Sequence, residues 1–152
     1  MKNYIIVEQI KANPMSLGEY YKYKGYTVPD INKINAKGYI IYHSDGCVSW
    51  RPEAVFNKNC LEILEEDKIT GQDVDNFIKD TNVVKMGDKT TVVQATFRNG
   101  FNMVSGSSSV TPENFNMEIG RQCCMERIKD HAWELLGFLL QSARNGFNGD
   151  KK

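Results

Sequence analysis

Net charge is the first thing this sequence lacks: 19 lysines and arginines stand against 19 aspartates and glutamates in 152 residues, a formal charge of zero. With no global field, only a local basic groove could draw the chain to nucleic acid or an anionic membrane. Long apolar runs are missing too. None approaches the roughly 20 residues of a membrane span, and the opening MKNYIIVEQIKANPM lacks the apolar core and cleavage site of a secretory signal. A cytosolic protein with no membrane partner is the expectation. Metal-ligand spacing is absent: Cys47, Cys60, Cys123 and Cys124 include no CxxC pair, and His43 and His131 are the only histidines. No metal and no cofactor is therefore expected. On a helix, Cys123 and Cys124 would point about 100° apart, which strains a mutual disulfide, so they read as buried or half-buried thiols. Neither a GxGxxG run nor a Walker lysine occurs, which leaves nucleotide-hydrolase and dinucleotide folds without support.

What is present is punctuation. Residues 4–10 have the apolar content of a strand, running into a turn at Asn13-Pro14. Ser16 and Glu19 have capping-box spacing before a short helix that stops at Gly25. A surface loop around Pro29 follows. Asp45-Gly46 predicts a two-residue turn between strands 38–43 and 47–50, and Pro52 sits at the first position of a helix reaching Asn59. The second half repeats the plan. Thr70 caps a helix with Val74, Phe77 and Ile78 at helical spacing, a half-buried strand carries Val92, Ala95 and Phe97, and Asn99-Gly100 turns the chain back. Thr111, Pro112 and Glu113 read as the start of the longest helix. Along it Met125, Ile128, Ala132, Leu135, Leu136, Leu139 and Ala143 mark one broad face, which Trp133, Phe138 and Leu140 widen until it is apolar nearly all round. Such a helix must be covered on most sides, by the hairpins and by a second protomer.

Candidate chemistry is sparse. His43, Ser44 and Asp45 are the residue types of a hydrolase triad, but consecutive residues at a hairpin tip project in alternating directions and cannot align nucleophile, base and orienter. Trp50 beside Arg51 suits a planar anion, by stacking and a bidentate contact. The run RNGFNMVSGSSSVTPENF, residues 98–115, is first a hairpin-to-helix joint. Its serines, Ser105, Ser107 and Ser109, with Asn99 and Phe101, could also line a ligand groove. Tyr20, Tyr21, Tyr23 and Tyr26 interleave with Lys22 and Lys24, a composition open to base stacking and equally to ring packing. No nucleophile, base and oxyanion donor assemble, so a binding protein is expected rather than an enzyme.

The ordered features at 90–141 carry a resemblance: the TTV strand at Thr90, the turn at Asn99 to Phe101, Ser107, PENF at Pro112, Ile119-Gly120 and WELLGFLL from Trp133. Together they resemble a family of small tailed-phage proteins named for gene product forty-nine of phage N-four and gene product sixty-six of phage Sf-six. Where many members read L-E-G-Y, this chain has Leu136, Gly137 and Phe138, so no role of that Glu and Tyr is carried over. The N-terminal third, with a short helix and a D-G hairpin leading to Trp50, is faintly similar to the Thoeris anti-defence sponge family, second type. That similarity implies an oligomeric scaffold sequestering nucleotide-derived immune signals in the cytoplasm of an infected host.

The resulting expectation is an α+β protein with two small hairpin-helix lobes, 1–64 and 65–145, packed on one long C-terminal helix, and a polar tail at 146–152. It would be a homo-oligomer formed through that helix, and would bind a small, cyclic nucleotide signal without turnover at Trp50, Arg51, Asn99, Phe101, Ser105, Ser107 and Ser109. The alternatives are a module that docks on a host or phage protein through its apolar helix face, and, less favoured, a nucleic-acid-binding regulator.

Overall fold

A computed structural model of the chain describes residues 1–28 and 30–148, so Pro29 and the last four residues of the tail lie outside the described residues. The described chain divides into two compact units, residues 1–62 together with those from 141 onward, and residues 63–140. Each unit carries one three-stranded antiparallel sheet with its strands in sequence order. The α+β class holds, and the second sheet has one strand more than the hairpin expected there.

In the first unit the strands are β1 (Lys11–Pro14), β2 (Gly38–Tyr42) and β3 (Val48–Pro52), with helices α1 (Leu17–Lys24) and α2 (Glu53–Asn59). The capping box at α1 forms as read: Ser16 Oγ accepts from the Glu19 amide, and Glu19 Oε2 accepts from the Ser16 amide at 2.8 Å. The strand expected at 4–10 forms instead at Lys11–Pro14. Register explains the displacement, because Lys11 stands opposite Tyr42, the last residue of β2, and anything upstream has no partner strand. Pro14 is tolerated there because β1 is an edge. The turn after β2 is also longer than expected. His43 and Cys47 close it, with Gly46 at φ 84° following a turn through Ser44 and Asp45. This is the three-residue loop whose last position needs the left-handed conformation that glycine supplies. Pro52 ends β3 and precedes α2 by one residue.

The second unit contains α3 (Gly71–Phe77), β4 (Ile78–Met86), β5 (Thr90–Phe97), β6 (Asn102–Ser108) and most of α4 (Met117–Asn145). Ile78, counted above as helical, is the first residue of β4, a strand the periodicity of the region concealed. The Asn99-Gly100 turn repeats the first hairpin's three-residue geometry, with Gly100 at φ 85° and Phe97 bonded to Phe101. Pro112–Asn114 is a separate 3₁₀ turn in which Thr111 makes no side-chain cap. The long helix starts later, where Asn116 Oδ1 accepts from the amides of Glu118 and Ile119 at 3.0 and 3.1 Å.

Thr91, Val93, Ala95 and Phe97, alternate residues of β5, are fully buried, as the strand period requires. Against them lies a stripe of α4 narrower than expected, made of Gly120, Cys124, Ile128, Ala132 and Leu136. Leu135 and Leu139, expected within the buried face, are 43% and 41% exposed, because residues four apart advance about 40° around the axis and only one such row meets the sheet. Lys129 on α4 pairs with Asp75 on α3 at 2.7 Å.

Asp73, nearly buried, holds the start of α3. Its carboxylate accepts from the Thr70 amide (2.7 Å), the Thr70 hydroxyl (2.7 Å) and the Leu64 amide (3.0 Å). Burial disfavours its charge, but these three donors outweigh burial and keep its pKa below the ordinary aspartate value. A carboxyl depressed in the folded state adds stability that is present above the unfolded pKa and lost as pH falls through the folded one. Asp73→Asn is therefore expected to cost about 2 kcal/mol at pH 7, with the gap to wild type narrowing below about pH 4. Urea midpoints of both proteins at pH 7 and pH 3 check this, and a gap that stays constant refutes it.

Candidate functional site

The serine run is neither a linker nor a loop. It is edge strand β6, and its register sets Ser107 opposite Thr91 and Ser105 opposite Val93. Cross-strand partners share a face, so both serines project to the side that α4 covers, where they are half-buried. The helix is held close there: Cys124 Sγ lies 3.8 Å from the Thr91 carbonyl, and a Cβ on Gly120 would strike Thr91. Arg127, one turn further along, donates from Nη1 to the Gly106 carbonyl at 2.7 Å. Its guanidinium thus reaches the strand between Ser105 and Ser107, whose hydroxyls make no hydrogen bond among the described residues. Arg127 was not among the candidates read from sequence. It belongs to a helix 21 residues downstream, and only the packing of α4 brings it to the edge.

Ser109 differs from its neighbours, since its hydroxyl donates to the Thr111 carbonyl at 2.7 Å and ties the strand to the following turn. Asn99 and Phe101 lie at the opposite end of the hairpin, about 20 Å from Ser107 at the rise of an extended strand. Asn99 Oδ1 accepts from the Phe101 amide at 3.0 Å and shapes the turn, while the Phe101 ring stacks on Phe97 with centroids 6.2 Å apart.

Trp50 and Arg51 belong to the first unit and leave opposite faces of β3, being successive strand residues. Trp50 Nε1 donates to the Met15 carbonyl at 2.8 Å, and its ring lies where a Cβ on Gly38 would be. Arg51 is exposed, across from Tyr39, whose ring stacks on Phe56 at 4.0 Å. The tyrosine helix packs two of its rings: Tyr20 meets Tyr21 edge-on at 6.4 Å, and the Tyr20 hydroxyl donates to the Val48 carbonyl. Tyr23 and Tyr26 stay exposed.

The same unit holds a constellation that the sequence did not disclose. His43 Nδ1 is 3.0 Å from Glu8 Oε2, and His43 Nε2 is 2.7 Å from Ser49 Oγ. Glu8 Oε1 accepts in addition from the amide and hydroxyl of Ser44, at 3.0 and 3.1 Å. The His43 bond, then the Ser44 amide, lower the Glu8 pKa against its slight burial. The hairpin register carries a signal for half of this set, because Ser49 pairs with Ile41 and so lies diagonally across from His43 on one face. Glu8, 35 residues before His43 in an irregular segment, has no such signal.

Among the described residues no group of three or more His, Cys, Asp or Glu side chains converges as a metal site, and all four cysteines are free. No helix among them is long and apolar enough to cross a membrane.

A profile of the phage protein (N4 Gp49/phage Sf6 gene 66) family matches residues 69–144. The chain belongs to that family. The family region opens just before the Thr70 cap, takes in the whole second sheet and the serine edge, and closes inside the last turn of α4. Phage origin follows for the protein. No curated protein and no solved structure matches the chain.

Proposed function

We propose that this phage protein is an accessory binding protein that holds a small nucleotide, of the cyclic class used as host immune signals, intact at the edge where Arg127 of α4 meets β6. The observation that carries this reading is the meeting of Arg127 with Ser105 and Ser107. A guanidinium offers five donors in a fixed fork, and only Nη1 is engaged by the strand. Two half-buried hydroxyls without partners stand on either side, so a phosphate bridging them would satisfy donors that otherwise go unpaired. A nucleotide is the ligand class that fits, because its phosphate oxygens are the acceptors that the Arg127 fork and the two hydroxyls lack.

Titration calorimetry against linear and cyclic nucleotides is the test. Wild type is expected to bind a member of the panel, with the nucleotide recovered unchanged by mass spectrometry. Arg127→Ala and the Ser105→Ala, Ser107→Ala double variant are each expected to bind at least about tenfold more weakly, the loss of one charge-assisted contact. No binding across the panel, or full affinity in Arg127→Ala, would sink the proposal.

One observation favours a second reading, docking through the helix. Leu135, Phe138 and Leu139 are 43%, 68% and 41% exposed and fall within one sector of about 100° on α4, an apolar surface of the kind that marks protein interfaces. A second copy or a host protein would cover it. Phe138→Glu would then abolish association while leaving the circular dichroism unchanged, whereas Leu136, at 2% exposed, belongs to the core.

A further inference from the structure

The geometry points to a serine-hydrolase centre in the first unit, with Ser49 as nucleophile, His43 as general base and Glu8 as the residue that positions His43, acting on small carboxylic esters. It rests on none of the residues at the β6 edge and departs from the expectation of no catalysis, which considered only the consecutive trio His43, Ser44 and Asp45. Those three do not line up. The chain instead supplies the hydroxyl from the facing strand and the carboxylate from its N-terminal segment.

The two bonds of His43 have the order that acyl transfer requires. A carboxylate on Nδ1 favours the tautomer with the proton there, leaving the Nε2 lone pair for the Ser49 hydroxyl 2.7 Å away. Glu8 is itself fixed, since its second oxygen takes two bonds from Ser44. The His43 and Glu8 side chains are 20% and 30% exposed, shielded enough to hold their geometry and open enough to admit a substrate. Arg51 shares the face of Ser49 two residues along β3, about 7 Å away along the strand. Exposed there, its guanidinium can lie over a carbonyl oxygen beside Ser49 and neutralise the charge developing on it.

The chemistry balances without a co-reactant other than water. Ser49 Oγ adds to the ester carbonyl carbon as its proton passes to His43 Nε2, and the tetrahedral oxyanion faces Arg51. The bond to the alcohol oxygen breaks, that oxygen takes the proton from Nε2, and the acyl group stays on Ser49. Water then adds to the acyl carbonyl, giving a proton to Nε2, and Ser49 leaves with that proton restored. One ester and one water become one acid and one alcohol.

The test uses the full chain with a fluorophosphonate probe and p-nitrophenyl acetate. A single adduct mapped to Ser49 is expected, together with ester turnover. Ser49→Ala is expected to lose both, and His43→Gln to slow both at least about 100-fold. Glu8→Gln is expected to slow labelling at least about tenfold. Glu8→Asp, which keeps a carboxylate for His43 Nδ1, is expected to recover part of the rate, whereas a purely structural Glu8 would not be rescued by the shorter carboxylate any better than by the amide. Ser49→Cys guards against misfolding of the alanine variant: its thiol is expected to alkylate at pH 6 at least about tenfold faster than Cys47, as a histidine-paired thiolate does. Failure of wild type to label at Ser49, turnover unchanged in Ser49→Ala, or a Ser49→Cys thiol no faster than Cys47 overturns the assignment. Labelling at Ser49 is read independently of nucleotide titration, so wild type that labels there yet binds no nucleotide, or the reverse, separates this outcome from that of the nucleotide reading.

Discussion

Phe97→Ala is expected to lower the unfolding free energy of the second unit by about 4 kcal/mol. Phe97 is completely buried, the largest side chain in that class, and its ring stacks on Phe77 at 5.1 Å with the planes 13° apart. Truncation removes the transfer energy of the ring and leaves a cavity between the C-terminal end of α3 and the sheet. Little can collapse into it, because Ala95 is small and Phe101 is already committed to the outer side of the stack at 6.2 Å. The Arg98 amide also donates to the Phe77 carbonyl, so helix end and strand end are coupled at this point. In urea, with a slope near 2 kcal/mol/M, the midpoint should fall by about 2 M. Hydrogen exchange read peptide by peptide should show the loss of protection in β5. A shift below about 0.5 M would mean that the stack contributes little.

Gly120→Ala is the second large effect, and its sign is the informative part. On propensity alone, alanine within a helix is better than glycine by about 1 kcal/mol. Here the added Cβ would meet Thr91 Oγ1 and lie 2.6 Å from Thr91 Cβ, so α4 must lift from β5 or Thr91 must move. Thr91 is fully buried in the central strand and cannot swing aside. A net loss of about 2 kcal/mol is expected. The double variant with Thr91→Ala should lose less than the sum of the single variants by more than about 1 kcal/mol, since the clash is shared. Thr91 Oγ1 is buried with no hydrogen-bond partner among the described residues, so Thr91→Val should instead stabilise by about 1 kcal/mol. Stabilisation by Gly120→Ala would contradict the close approach of helix and sheet. The same approach sets Arg127 against Gly106, so Gly120→Ala is also expected to weaken any ligand held at that edge.

The candidate sites show why residue type alone ranked the chemistry imperfectly. Trp50 and Arg51 looked like a clasp because they are adjacent, yet adjacency on a strand sends them to opposite faces. Ser105 and Ser107 are two apart and so do share a face, together with the underside of α4. His43 was set aside with its immediate neighbours for a sound reason, and its partners come from elsewhere in the chain.

The sequence by itself determined what is settled within three or four residues. The Ser16 and Thr70 caps, the glycine stops at Gly25, Gly46 and Gly100, and the family pattern from Thr90 to Gln141 all depend on local backbone chemistry and were legible without the fold. Tertiary structure decided what depends on register and packing. Where β1 begins follows from the end of β2, and β4 exists as a strand because β5 gives it a partner. Which apolar residues of α4 are covered follows from the one row that meets the sheet. The convergence of Glu8 with His43 and Ser49, and of Arg127 with Gly106, needs contacts between residues far apart in the chain. No local preference encodes such contacts, because each is fixed only when the surrounding strands and helices have already been placed.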